Sequence, residues 1–422
     1  MISSKLRELT NKLILEGGAS GHLMHLYDNR DLTFGELKDI LRSAAEGRLQ
    51  KVTEKLDGMN LVFTWNGELK TARSGSDIKN GGMNASALAK KFHGRENVEE
   101  AFNTAFRVLN EALTVLPEKT KHLIFENGKI WYSIEIIYSK NPNVIVYDHN
   151  YVVFHANPIF VIQNDGSIEK KDDAKGVEIL ESYVTKMQAA LVQRMWKIRG
   201  PALLRLKKLS DKSIINNAIS AIEQAQGAGG VDDSGTIGDY LYNIILEEVA
   251  DLGLGVEAAK AVTARIVGIS GAPGLPQIKK LIPVDRYIEV KQFVDQQKTL
   301  MYHAIAPIER AIHNFAVEVL RGLHSVLITQ HDEEIARLRA QVSSAIKAIE
   351  SSGDVNAMNI LNVQMKKLGN VENIAATMEG VVFIYNGNAY KFTGAFAPAN
   401  QILGLFKYGR SSAKLIEQFG IF

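Results

Sequence analysis

Thr53-Glu54-Lys55-Leu56-Asp57-Gly58-Met59-Asn60 places a lysine, a carboxylate and a glycine in one bend, and the residues after it turn to strands: Leu61 to Trp65 and Glu68 to Arg73, joined by Asn66-Gly67. Asn-Gly between two runs rich in aromatic and β-branched residues is the strongest short signal for a β-hairpin. A Lys-x-Asp-Gly string carries little alone, since it turns up by chance in about one chain in ten of this length. Its neighbours decide whether it is a charged surface turn or a site. Further strands are expected at His122 to Glu126, Ile130 to Tyr138, Val144 to Tyr147 and Tyr151 to Phe160, with helices at Ala85 to Phe92 and Val98 to Leu116.

Upstream, residues 1–50 read as a helical cover: Lys5 to Leu15 is amphipathic, Gly17-Gly18 stops it, and Thr33 with Glu36 forms a capping-box pattern before Leu37 to Ala45. Downstream, helical spacing runs through 174–225, 236–268 and 286–368, interrupted by Gly200-Pro201, Gly227 to Gly238 and Gly268 to Pro283. Strands return at Gly380 to Tyr385 and Ala389 to Thr393 around Asn386-Gly387. The expected organisation is therefore an α+β domain over 51–165, a helical insertion over 166–370, and closing strands and tail over 371–422.

Composition narrows the chemistry. A chain of 422 residues with 46% hydrophobic and 23% charged residues has ample core for two or three domains. It holds no Cys, which removes disulfides, thiol catalysis and thiolate metal sites and leaves His and carboxylates as the metal ligands. No apolar run reaches the ~18 residues of a membrane span, and Lys5, Glu8 and Glu16 interrupt the apolar N-terminus, unlike a signal peptide. A cytoplasmic protein without a membrane partner is the expectation. The net charge of +2 says nothing about partners, so charge placement must.

Three strings stand beside Lys55 and Asp57: Ser133-Ile134-Glu135-Ile136-Ile137, an acid inside an apolar strand; Tyr151 to Phe154 followed by His155; and Met378-Glu379-Gly380 leading to Tyr390-Lys391-Phe392. In this order they resemble the motifs of the covalent nucleotidyltransferase superfamily of ATP-dependent DNA ligases, RNA ligases and capping enzymes, with Asn60 closest to the RNA-ligase-2-like branch. The resemblance covers about 51–160 and 371–394 and implies a ligase-type adenylation domain with antiparallel sheets. It implies that Lys55 is the nucleophile that carries AMP, with Asp57 in the same catalytic motif and Glu54, Gly58 and Asn60 around the nucleotide. It further implies that Arg73 contacts ribose or phosphates, Glu135 the ribose, Phe154 the base and Lys391 the α-phosphate. ATP and Mg²⁺ are the implied cofactors, the metal held by Glu379 and secondarily Glu135. Only Lys391 stands where the family usually has two lysines, and Asp57 where the branch commonly has His.

A free lysine is neutral in only about one molecule in 2,500 at pH 7, a penalty of about 4.6 kcal/mol, so a nucleophilic lysine needs cationic neighbours or a metal. Arg73, Lys391 and Mg²⁺ are the suppliers the resemblance offers. If Glu379 and Lys391 serve one site, strand alternation requires a three-residue loop, Tyr385 to Gly387 with a bulge at Gly387, pairing Lys391 with Val381. For the partner, eight basic residues between Lys186 and Lys212 stand against one acid, Asp211. Lys186, Arg194 and Lys197 are expected on a helix before Gly200, and Arg205, Lys208 and Lys212 on one helix face after it, gripping nucleic acid.

The expected function is an ATP-dependent polynucleotide ligase acting on RNA in preference to DNA. Two alternatives stay open: the same chemistry on another acceptor, by a GTP-using capping-type or protein-modifying enzyme, and a non-catalytic nucleic-acid-binding or virion protein. His22, His25 and His155 read as packing or surface residues, and Lys79-Asn80-Gly81-Gly82 as a turn rather than a phosphate cradle.

Overall fold

The segment from Thr53 onward builds not one sheet but two. In the computed structural model, which describes residues 23–140, 145–156, 158–171 and 174–408, β1 (Thr53–Lys55) leaves the bend at Leu56 to Gly58 and hands over to β2 (Met59–Trp65) in a different sheet. The larger, seven-stranded sheet contains β2, β3 (Leu69–Ala72), β4 (Ile130–Ile137), β5 (Asn150–Phe154), β6 (Ile159–Ile162), β7 (Ile168–Lys171) and β8 (Trp196–Arg199). The smaller has the order β1, β9 (Gly380–Tyr385), β10 (Asn388–Thr393). All pairings are antiparallel except β5 with β8, which makes the large sheet mixed. The fold is α+β. The closing strands do complete the sheet that begins at β1, although that sheet excludes β2.

Alternation along the strands sets what each sheet faces. Leu61, Phe63, Tyr132, Ile134, Ile136, Val152 and Phe154 turn one face of the large sheet into a core shared with the helices Ala85–Phe92, Asn97–Leu113 and Glu118–Phe125. In the small sheet Val381, Phe383, Tyr390 and Phe392 pack against the helices Phe34–Ala45, Lys212–Ala228, Ile237–Ala250, Val256–Val267 and Gln297–Leu320. Leu56, at the bend between the sheets, belongs to a third core with Ile137, Tyr147 and Tyr151 and the helices His331–Ser352 and Val355–Leu368. The bend is thus fixed from beneath through Leu56.

Several expectations change. His122 to Glu126 is helical, the end of Glu118–Phe125 entered from Pro117: the neighbours Ile124 and Phe125 both pack in the core and Lys121 is buried one turn earlier, which strand alternation would not give. Ile145 to Tyr147 is not a strand, Val144 lies outside the described residues, and Tyr151 to Phe160 divides into β5 and β6. The span read as one long helix before Gly200 breaks into Ala174–Ser182, Val184–Ala190 and β8, whose Trp-Lys-Ile-Arg alternation suits a sheet edge. Residues 200–211 are extended rather than helical: Leu203 bridges Thr53, and the Leu204 N–H donates to Val52 (2.9 Å). The helical insertion therefore begins after strands β7 and β8, not at 166.

Thr33 and Glu36 form the expected capping box on Phe34–Ala45. The helix expected over Lys5 to Leu15, and His22, lie outside the described residues. From Met24 the chain runs beside β10, Met24 bridging Tyr390 in parallel and the Lys391 N–H donating to the Met24 carbonyl (3.1 Å).

Candidate active site

Register places the two lysines. Thr53 pairs with Val382 and Lys55 with Gly380, while Lys391 also pairs with Val382 and Thr393 with Gly380. Residues opposite one another share a face, so Thr53, Lys55, Val382, Lys391 and Thr393 lie on one side of the small sheet. The lysines stand two strands apart, roughly 10 Å between strand axes. Lys55 Nζ pairs with the Glu379 carboxylate.

The hairpin register corrects an expectation. Asn386 (φ 47°) and Gly387 (φ 76°) form a two-residue turn with both residues left-handed, and Lys391 pairs with Val382, not Val381. Glu379 and Lys391 nevertheless reach the same cavity. The reason is that Glu379 lies in the bend before β9 begins, where strand alternation no longer dictates its direction.

Burial holds the Glu379 carboxyl above the usual carboxylate range, helped by the charge of Asp57 and opposed by Lys55 and Lys391. Lys391 is held below the usual lysine range by burial and then by Lys55. The Asp57 N–H donates to the Tyr147 hydroxyl (3.0 Å). Tyr147 is buried under the bend, and burial together with the charges of Asp57, Glu54 and Glu379 raises its phenol well above the usual range. Glu54 points the other way from Lys55: it is 3% exposed and accepts from the Val326 N–H (2.9 Å).

Across the gap, Asn60 on β2 pairs with Glu135 on β4, and both line a 140 Å³ cavity with Lys55, Val382, His155 and Leu23. The Asn60 amide donates to the Ile134 carbonyl (3.4 Å), and Glu135 Oε2 lies 3.1 Å from His155 Nε2. Gly58 is required by this closeness: a Cβ there would stand 2.8 Å from Glu135 Cγ and 2.8 Å from the Ile136 carbonyl. Lys55, Asn60 and Glu135 thus line one cavity and Glu379 and Lys391 another, the Lys55–Glu379 pair joins the two, and Asp57 and Gly58 stand in the bend beside them.

Other expected site residues do not join them. Phe154 pairs with Ile134, shares its face and is packed on Phe63 (5.8 Å between ring centroids), so it is core and not a base platform. His155, one residue on, takes the cleft side. Arg73 donates to the Asn60 carbonyl and lies over the Phe102 ring at 5.4 Å; it lines neither cavity next to Lys55. Among the described residues no group of three or more His, Cys, Asp or Glu could hold a metal ion. Gly81 and Gly82 turn with positive φ, and a Cβ on Gly82 would strike Trp131 at 2.4 Å, so this glycine pair serves packing.

The basic residues do not form the expected helix faces. Lys186 lies on the helix Val184–Ala190, Arg194 in the following loop, Lys197 on β8, Arg205 and Lys208 on the extended segment, and Lys212 at the start of Lys212–Ala228. Lys186, Arg194, Arg205, Lys208 and Lys212 are exposed, and Lys208 and Lys212 line a groove with Arg42, Glu46, Asp211 and Glu223.

The sequence reads His25 and His155 as packing or surface residues and gives Tyr147 no role, whereas His25 and His155 line the two cavities and Tyr147 holds the bend. His155 carried a usable signal: once Glu135 is assigned to the cleft and β4 pairs with β5, alternation sends His155 there and Phe154 away. Tyr147 and His25 carried none, because both arrive from outside the local hairpins. No family model matches the sequence, and no curated protein or solved structure gives a significant match. Among the described residues no helix is long and apolar enough to cross a membrane.

Proposed function

We propose that the protein is an ATP-dependent polynucleotide ligase, acting on RNA in preference to DNA, that works through a lysyl-AMP intermediate on Lys55. The observation that carries this reading is the pairing of Lys55 with Glu379 on the same sheet face as Lys391, opposite the Asn60 and Glu135 pair of the second sheet. Covalent nucleotidyl transfer needs a lysine that can become neutral, a second cation for the α-phosphate, and a polar wall for the sugar.

In this reading the Lys55 ammonium, held against the Glu379 carboxylate, gives one proton to solvent as the nucleotide binds. The Lys55 nitrogen then forms a bond to the α-phosphorus of ATP, the bond from that phosphorus to the bridging oxygen breaks, and pyrophosphate leaves with the electron pair. The second amine proton passes to solvent. Lys391 faces the α-phosphate oxygens, and Asn60, Glu135 and His155 face the nucleoside. Transfer of AMP to a 5′-phosphate end and displacement by a 3′-hydroxyl complete the cycle. A 140 Å³ cavity is smaller than the ~300–1,000 Å³ of typical ligand sites. Nucleotide entry must therefore widen it, and Leu23, on the segment before the helix Phe34–Ala45, is among its lining residues.

Glu379, Glu135 and Asp57 offer hard oxygen donors of the kind Mg²⁺ takes, one or two at a time beside phosphate and water, and a preformed three-residue cage is not part of that chemistry. Mg²⁺ would be held by Glu379 first and would supply charge neutralisation on the phosphates.

Incubation with α-labelled ATP or GTP and Mg²⁺, followed by a denaturing gel, tests the proposal. Label on the wild type with ATP and none on Lys55→Ala is expected. Undiminished label on the variant removes the assignment, label from GTP alone moves the protein to the capping type, and no label with either nucleotide leaves a binding protein.

A further inference from the structure

We propose that the 430 Å³ cavity walled by His25, His313, Gln364, Lys367, Lys391 and Gln401 binds the pyrophosphate released when Lys55 is adenylylated. The identity of the ligand rests on the nucleotidyl-transfer reading; the anion-binding character of the cavity does not.

Position comes first. This cavity and the 140 Å³ one beside Asn60 and Glu135 share no lining residue, and the Lys55–Glu379 pair joins them: Lys55 lines the smaller, Glu379 the larger. Lys391, on the same sheet face as Lys55, lines only the larger. An α-phosphate held between the two lysines therefore has the nucleoside on one side and, on the other, this cavity. In-line displacement requires a place for the leaving oxygen away from the attacking nitrogen, and the cavity provides one.

Its chemistry fits a compact oligophosphate. Lys391 and Lys367 bring positive charge from β10 and from the helix Val355–Leu368, and the His25 imidazole and the amides of Gln364 and Gln401 stand on the same wall, while His313 Nε2 already donates to the Lys367 carbonyl (3.2 Å). The one acid on the far wall, Glu309, is already matched by Lys367 (3.1 Å) and by the Tyr27 hydroxyl (3.4 Å). Burial, and then Lys391, Lys55, His313 and Lys367, push the His25 imidazole down to about 3. It meets an anion as a neutral donor. His313 and Lys367 also line a neighbouring cavity of 380 Å³ with Lys366 on its wall. The helical insertion, and not only the two sheets, would thus take part in nucleotide chemistry.

Calorimetric titration of the full chain with inorganic pyrophosphate tests this without requiring turnover. Saturable binding to the wild type is expected, weakened at least tenfold in Lys367→Gln and in Gln364→Leu. Lys347→Gln, which removes an exposed lysine of the helix His331–Ser352, should bind like the wild type. Absence of pyrophosphate binding, or equal affinity in all variants, overturns the proposal. A second arm uses a 5′-phosphorylated oligonucleotide against its 5′-hydroxyl counterpart. If only the phosphorylated end binds in a Lys367-dependent way and pyrophosphate does not, the cavity holds the acceptor end and the proposal fails. Labelling at Lys55 is scored separately, so a protein that binds pyrophosphate through Lys367 but never accepts label would discard the ligase reading and keep the anion site.

Discussion

Glu54 offers a sharp physical test, because it adjoins Lys55 in sequence yet faces the interior. One carboxylate oxygen accepts from the Val326 N–H (2.9 Å), and the other, Oε1, is buried without a hydrogen-bond partner among the described residues. An ionised carboxylate in that position is costly, and burial, against the pull of the Ser325 hydroxyl and the Val326 N–H, pushes the group up from 4.5 to about 7. A folded-state value above the unfolded one means that the protonated form stabilises the fold. That contribution is complete below pH 4.5, declines as pH rises toward about 7, and is gone above it. At about 1.4 kcal/mol per pH unit the total is about 3 kcal/mol. His25, His313 and His331 are all held below the ordinary histidine value, chiefly by burial. They work in the opposite direction, adding stability above 6.5 that is lost as pH falls, so the wild-type profile alone mixes the two. Glu54→Gln keeps the size and the acceptor for Val326 and removes the titration, at a constant offset for its buried amide. In urea unfolding at pH 5, 6, 7 and 8, the wild type should lose about 2–3 kcal/mol relative to the variant across the series, the rest of the total being already lost at pH 5. Parallel curves would refute the burial account of Glu54.

Gly58→Ala must displace Glu135 or the β4 backbone, since its Cβ would stand 2.8 Å from each; a loss of about 1–3 kcal/mol in urea unfolding, with reduced nucleotide labelling, is expected. Tyr147→Phe removes the acceptor of the part-buried Asp57 N–H, which should cost about 0.5–1.5 kcal/mol in the same assay. Neutralising Arg205, Lys208 and Lys212 to Gln should weaken binding to RNA and DNA of all sequences. In fluorescence anisotropy at several salt concentrations, the salt slope should shrink by roughly 0.7 for each lost single-strand phosphate contact, with Lys55 labelling retained. An unchanged slope would place the nucleic-acid surface elsewhere.

Much of this was legible in the chain. The hairpin turns at Asn66-Gly67 and Asn386-Gly387, the capping box at Thr33 and Glu36, and the long helices past 236 arise from local chemistry, and the structure has them. The nearness of Lys55, Glu379, Lys391, Asn60 and Glu135 was implied by the motif resemblance, and Glu135 and Lys391 carried a local sign as well, being charged residues within apolar strands. What local pattern could not give was which strands share a sheet. The bend at Leu56 to Gly58 moves the chain from one sheet to the other, and β8 joins β5 from within a stretch whose apolar spacing also fits a helix. His122 to Phe125 failed for a similar reason, since a short apolar run reads equally as strand or helix until its packing partners are known. The Glu379 direction was misjudged because alternation was extended one residue beyond the strand.

The central claim is that Lys55 carries a nucleotide. Wild-type protein incubated with ATP and Mg²⁺, digested and mapped by peptide mass spectrometry, should hold one AMP on the peptide containing Lys55, and added pyrophosphate should remove it and regenerate ATP. Modification at another lysine, or an AMP adduct on Lys55 that pyrophosphate leaves in place, would contradict the account.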